Sequence, residues 1–149
     1  MIVAATLSDA RDCSKILQEW IDVTDWYPNL SSESVSEASM ENRMETGAVL
    51  LMKSDGETVG FVSFSGEYLD CLYLRKSSQN KGYGLALLNE VKRASQGKLA
   101  LWVLAQNHGA SRFYQREGFI EISRGDGSDN EDNLPDIGYE WNKETSDNG

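Results

Sequence analysis

The stretch "YLDCLYLRKSSQNKGYGLALL", residues 68–88, decides how the rest of the chain is read. Residues 68–74 have the aromatic and aliphatic composition of a strand. Residues 82–95 read as a helix, closed by Gly97 at the C-cap position. Gly82 and Gly84 stand at the mouth of that helix, although glycine costs a helix about 1 kcal/mol against alanine. The apolar run "LALWVL" (99–104) follows, as expected of a strand buried on both faces. Strand, helix and strand in that order imply a parallel crossover. The helix then opens at the carboxyl end of the strands, its unpaired N–H groups and partial positive charge forming an anion site. Two readings of the glycines stand side by side. They clear room for a phosphate against the backbone of "QNKGYG", or they allow a tight turn and close packing of the helix. The pattern is Q-x-x-G-x-G, which is neither the Walker-type loop nor the dinucleotide fingerprint.

Upstream, "IVAA" (2–5) reads as a short strand and "LSDARDCSKILQEWI" (7–21) as a helix. Ser8 is its expected N-cap, and Ala10, Cys13, Leu17 and Trp20 its apolar face. Pro28 and a serine cluster interrupt the pattern before a weaker helix at 34–46, with Val35, Ala38 and Met44 as apolar points. "AVLLM" (48–52) and "TVGFVSFSG" (58–66) are strands joined across Asp55-Gly56, a hairpin signal. Downstream come a short helix at 109–118, the strand "FIEIS" (119–123), a polar loop over 124–134 and the strand "IGYEW" (137–141). The expected fold class is α/β, an α+β mixed sheet of about seven strands with helices on both faces, in one domain over residues 1–149.

The formal net charge of −10 excludes a nucleic-acid partner, whose phosphates call for clusters of Lys and Arg. Many of the acids (Asp126, Asp129, Glu131, Asp132, Asp136 and Glu140) lie near the C-terminus, where they solvate the chain or attract a cation. Cys13 and Cys71 are too few and too far apart for a disulfide framework or a zinc site, and no metal is expected. No apolar run spans a bilayer and the first residues lack the pattern of a leader, so a soluble cytoplasmic protein is expected.

A second stretch, "NHGASRFYQREGF" (107–119), follows the first after one helix and one strand. It reads N-x-x-A-x-x-F-Y-x-x-x-G-F through Asn107, Ala110, Phe113, Tyr114, Gly118 and Phe119. Together the two stretches resemble the GNAT superfamily of acyl-CoA-dependent N-acyltransferases over residues 68–119. The resemblance implies acetyl-CoA as cosubstrate, an amine as acceptor, and a central strand pair, 68–74 and 99–104, that splays to admit the cofactor. It implies that Leu72, Tyr73 and Leu74 exchange backbone hydrogen bonds with the pantetheine arm. It implies that the backbone N–H groups of Gln79, Asn80, Lys81, Gly82, Tyr83 and Gly84, with Leu85, hold the pyrophosphate. Asn107 matches a residue that contacts the pantetheine region, and Tyr114 the tyrosine proposed to protonate the departing thiolate.

The acceptor side rests more on chemistry. An alkylamine with a pKa of about 10.4 is protonated at neutral pH and must lose a proton before it attacks a thioester. Asp70 is the first candidate to take it, Glu67 the second and His108 the third. The resemblance implies an acceptor wall after the first helix, for which Trp26 and Tyr27, in the loop there, are the candidates, while Trp20 at helical spacing reads as core. Cys71, on a strand among apolar neighbours, reads as a buried thiol rather than an acyl carrier. The expected activity is transfer of acetyl from acetyl-CoA to a primary amine by direct attack in a ternary complex. The acceptor is a small metabolite and a homodimer is possible. The alternative is an acyl-CoA-binding sensor without catalysis.

Overall fold

The structure, a computed structural model, describes residues 1–27, 36–128 and 133–144. They group into two compact units, Met1–Val91 and Lys92–Gly149. Among the described residues, seven strands and four α-helices follow the expected order along the chain.

In the first unit, β1 (Ile2–Ala4), β2 (Ala48–Ser54), β3 (Glu57–Ser65) and β4 (Tyr68–Leu74) pair in sequence, each antiparallel to the next. Asp55 and Gly56 have φ of 51° and 81°, the double positive φ of a two-residue turn whose twist matches its strands. Helices α1 (Ala10–Asp22) and α2 (Glu37–Thr46) cover one face. Ala10, Cys13, Ile16, Leu17 and Ile21 of α1 and Met40 of α2 are buried with Val49, Leu51 and Phe61. Burying such a side chain contributes about 1.5–3 kcal/mol. Two expectations shift here. Ser8 does not cap α1; a 3-10 turn, Leu7–Asp9, precedes it, and Thr6 N donates to Asp9 Oδ2 at 2.8 Å. In α2 the core residue is Met40 and Ala38 is exposed, because Met40 and Met44, four apart, share the inward side. Val35, like Pro28, lies outside the described residues. Helix α3 (Tyr83–Ala94) buries Leu87, Leu88 and Val91, and Gly97 has the positive φ, 91°, of its expected C-cap place.

In the second unit β5 (Lys98–Leu104), β7 (Asp136–Asn142) and β6 (Ile120–Gly125) form antiparallel pairs with β7 in the middle, and α4 spans His108–Arg116. The expectation of burial on both faces fails for β5. Leu99, Leu101 and Val103 are buried, while Trp102 between them is 47% exposed. An apolar run records only that no residue is charged; alternation still sets which side chains are covered. Gly138, opposite Trp102, leaves room for its ring, which a Cβ there would meet at 3.3 Å.

Candidate functional site

The loop between β4 and α3 is built from both ends. A 3-10 turn, Lys76–Ser78, follows β4, and Lys76 N donates to Glu19 Oε1 of α1 at 2.7 Å. Arg75 reaches the same carboxylate at 3.9 Å and donates from Nε to Thr58 O at 3.0 Å. Helix and sheet thus hold the turn that launches the loop. Asn80 and Gly82 then take positive φ, 62° and 85°. A Cβ at Gly82 would meet no atom within 4 Å, so close packing does not require this glycine; its backbone conformation does. Ala86 N donates to Gly82 O at 3.0 Å as the helix begins. Among the described residues, the N–H groups of Lys81 to Leu85 have no partner. They form a row of backbone donors at a helix mouth, where the dipole adds positive potential. Gln79 departs from expectation: its N–H is turned inward to Lys76 O at 3.3 Å.

Leu72, Tyr73 and Leu74 lie at the end of β4, opposite Val62, Phe61 and Gly60. The register of β4 contains a feature no sequence signal marks. Ser63 opposes Cys71 and Phe64 opposes Leu69, which leaves Asp70 as the extra residue of a β-bulge. Its Oδ2 accepts from Arg43 Nε of α2 at 2.8 Å. The Cys71 thiol beside it is driven upward in pKa by burial and then by the Asp70 charge, and so stays protonated. Glu67, the second candidate base, sits exposed in the turn before β4.

On α1 and the turn beyond it, Trp20, Trp26 and Tyr27 gather with Tyr73 of β4. Ring centroids are 5.9 Å apart for Trp20–Trp26, 5.1 Å for Trp20–Tyr27 and 5.3 Å for Trp20–Tyr73. Trp20, expected in the core, is half-buried at the centre of this group. Arg43, Glu19 and the side chain of Tyr73 are the functional candidates that the sequence reading missed.

In the second unit Asn107 caps α4, its Oδ1 accepting from Ala110 N at 3.2 Å. Its carboxamide nitrogen has no partner among the described residues. Tyr114 is 7% exposed and stands edge-on to Phe113 and Phe119 at 5.1 and 5.3 Å. His108, the third candidate base, is the exposed first residue of α4. Of the C-terminal acids, Asp126 accepts from Ser128 N and Oγ at 2.9 and 2.6 Å. Those hydrogen bonds hold its carboxyl below the usual range. Asp129, Glu131 and Asp132 fall outside the described residues. No described helix is long and apolar enough to cross a membrane, and no three His, Cys, Asp or Glu side chains among the described residues could hold a metal.

Residues 22–142 match the family model of the acetyltransferase (GNAT) domain. No curated protein sequence matches the chain. A GCN5-related N-acetyltransferase from Rhodopseudomonas palustris has a similar structure, with a TM-score of 0.83 at 19% identity over 95% of this chain and 94% of that one. YncA of Salmonella typhimurium, solved with its cofactor acetyl-CoA, gives 0.73 at 19% identity over 95% and 92%. The PaiA N-acetyltransferase of Thermoplasma acidophilum, solved with coenzyme A, gives 0.74 at 19% identity over 95% and 98%.

Proposed function

The chain belongs to the acetyltransferase (GNAT) domain family, and we propose that it moves an acetyl group from acetyl-CoA to the primary amine of a small molecule. The observation that carries this reading is the open mouth of α3, where five consecutive N–H groups from Lys81 to Leu85 lack partners among the described residues, beside the space at Gly82. A pyrophosphate satisfies such donors. The acetyl-CoA in Salmonella YncA supports the choice of cosubstrate. In this reading the backbone of Leu72–Leu74 pairs with the pantetheine arm, and the free carboxamide nitrogen of Asn107 donates to it. Asn80 and Gly82 shape the loop, and Gln79 contributes its turn rather than its N–H.

The neutral amine attacks the thioester carbonyl. A C–N bond forms, the C–S bond breaks, and the sulfur leaves as a thiolate that takes a proton from the Tyr114 hydroxyl, while the proton shed by the acylated nitrogen passes through solvent and restores that hydroxyl. Asp70 receives the proton of the incoming ammonium, directly or through water, with Arg43 orienting its carboxylate. Trp26 and Tyr27, with Trp20 and Tyr73, form the acceptor's aromatic wall. The raised pKa of Cys71 favours direct attack over an acyl-enzyme, because its thiolate is disfavoured.

Thiol release from acetyl-CoA across a panel of small amines tests the reading. Tyr114→Phe should lower kcat by about 10²-fold or more and leave the KM for acetyl-CoA nearly unchanged; undiminished turnover would remove the acid from Tyr114. Asp70→Asn should lose most of its rate at neutral pH and regain part as the pH rises toward the amine's own pKa. Parallel pH–rate curves for variant and wild type would exclude it as the base.

A further inference from the structure

A cleft of about 340 Å³ lies within the second unit, between α4 and the β6–β7 pair. His108, Ser111 and Arg112 line it from α4, and Glu121, Arg124 and Tyr139 from the strands. Two observations separate it from an ordinary surface hollow. Among the described residues the buried Ser111 hydroxyl oxygen has no hydrogen-bond partner, an uncommon state for a polar atom shut off from water. Arg112, one turn beyond His108, also has no hydrogen bond or ion pair among the described residues. Arg124, by contrast, is committed: its Nε and Nη2 donate to Glu121 at 2.9 and 2.8 Å.

From this arrangement we infer that the cleft is a binding site for a carboxylate-bearing small molecule. The Glu121–Arg124 pair cancels internally and leaves one free guanidinium, which matches a single negative charge. Its planar fork suits a carboxylate bound through two parallel hydrogen bonds. The His108 ring adds a donor of its own. A phosphate dianion fits worse, because its second charge would share the cleft with the Glu121 carboxylate. The inference does not depend on the acyl-transfer reading.

His108 is the chain's single histidine, so its imidazole resonances report on this cleft alone. Titration with acetate at constant ionic strength should shift them saturably. Arg112→Gln, at an exposed position, should weaken that response by about 10-fold or more, and Ser111→Ala should weaken it less. Ethylammonium should give no saturable shift, and phosphate a weaker response than acetate. A linear acetate response, a phosphate response stronger than acetate, or an Arg112→Gln protein titrating like wild type would each overturn the proposal. Two sources of the carboxylate then separate by assay. Acetylation of glycine or alanine that Arg112→Gln abolishes marks an acceptor, whereas glutarate that saturates His108 without turnover marks a ligand that does not react.

Discussion

Helices α3 and α4 both begin in the stretches that resemble the family, yet their first turns are finished in opposite ways. At α4 the chain caps itself, with Asn107 Oδ1 taking Ala110 N. At α3 no side chain among the described residues takes the N–H groups of Lys81 to Leu85. Both starts carry glycine, and the two glycine positions differ in kind. Gly82 has φ of 85° and open space beside it, whereas Gly109 lies within the first turn of α4 with no positive φ. A helix start left open by its own sequence carries unmet polar groups, and the natural remedy is a ligand. A start closed by its own Asn leaves only the other end of that side chain for a ligand. The contrast places the proposed anion site at α3 and leaves α4 to contribute side chains.

Paired substitutions test this contrast most strongly. Gly84→Val places a branched side chain where the phosphate would meet the backbone. It should cut coenzyme A affinity by about 10²-fold or more, comparable with the loss of several charge-assisted hydrogen bonds. Gly109→Ala should leave affinity alone and raise stability by about 0.5–1 kcal/mol, since a Cβ there meets nothing within 4 Å. Calorimetry of coenzyme A binding and a urea melt on each protein are sufficient. Wild-type affinity in the Gly84→Val protein, with its fold intact, breaks the contrast.

The sequence made the α3 mouth legible because glycine spacing, strand and helix are all local signals. Element order, the Asp55–Gly56 hairpin and the strand at 68–74 were legible for the same reason. What could not be read depends on registry or on distant partners. The bulge at Asp70 arises where Ser63 and Phe64 pair with residues two apart, and nothing in "YLDCLYL" announces it. Arg43 becomes the partner of Asp70 only when α2 folds over the strand. Glu19 holds Lys76 N across a separation of 57 residues. Trp102 shows the opposite failure, where a clear apolar signal overstated burial because composition carries no face. The carboxylate cleft combines both problems: His108, Ser111 and Arg112 share a helix face, while Glu121 and Arg124 arrive from a strand whose neighbours had to be known.

The smallest expected effect concerns the other side of the contrast, the self-capping of α4. Asn107→Ala removes the acceptor of Ala110 N and should cost about 1 kcal/mol, typical of a lost N-cap. It also removes the carboxamide nitrogen proposed to hold the pantetheine arm, so alanine alone cannot divide the two roles. Asn107→Asp does. A carboxylate still caps the helix and suits its positive end, so stability should return to the wild-type value. The carboxylate cannot donate, so the KM for acetyl-CoA should stay raised in both variants if the nitrogen binds the cofactor. A urea melt reads the first role and initial rates at varied acetyl-CoA read the second. If Asn107→Asp restores both stability and KM, Asn107 is a cap and nothing more. If Asn107→Ala leaves the melt unchanged, α4 does not depend on its cap, and the distinction between the two helix starts loses its energetic basis.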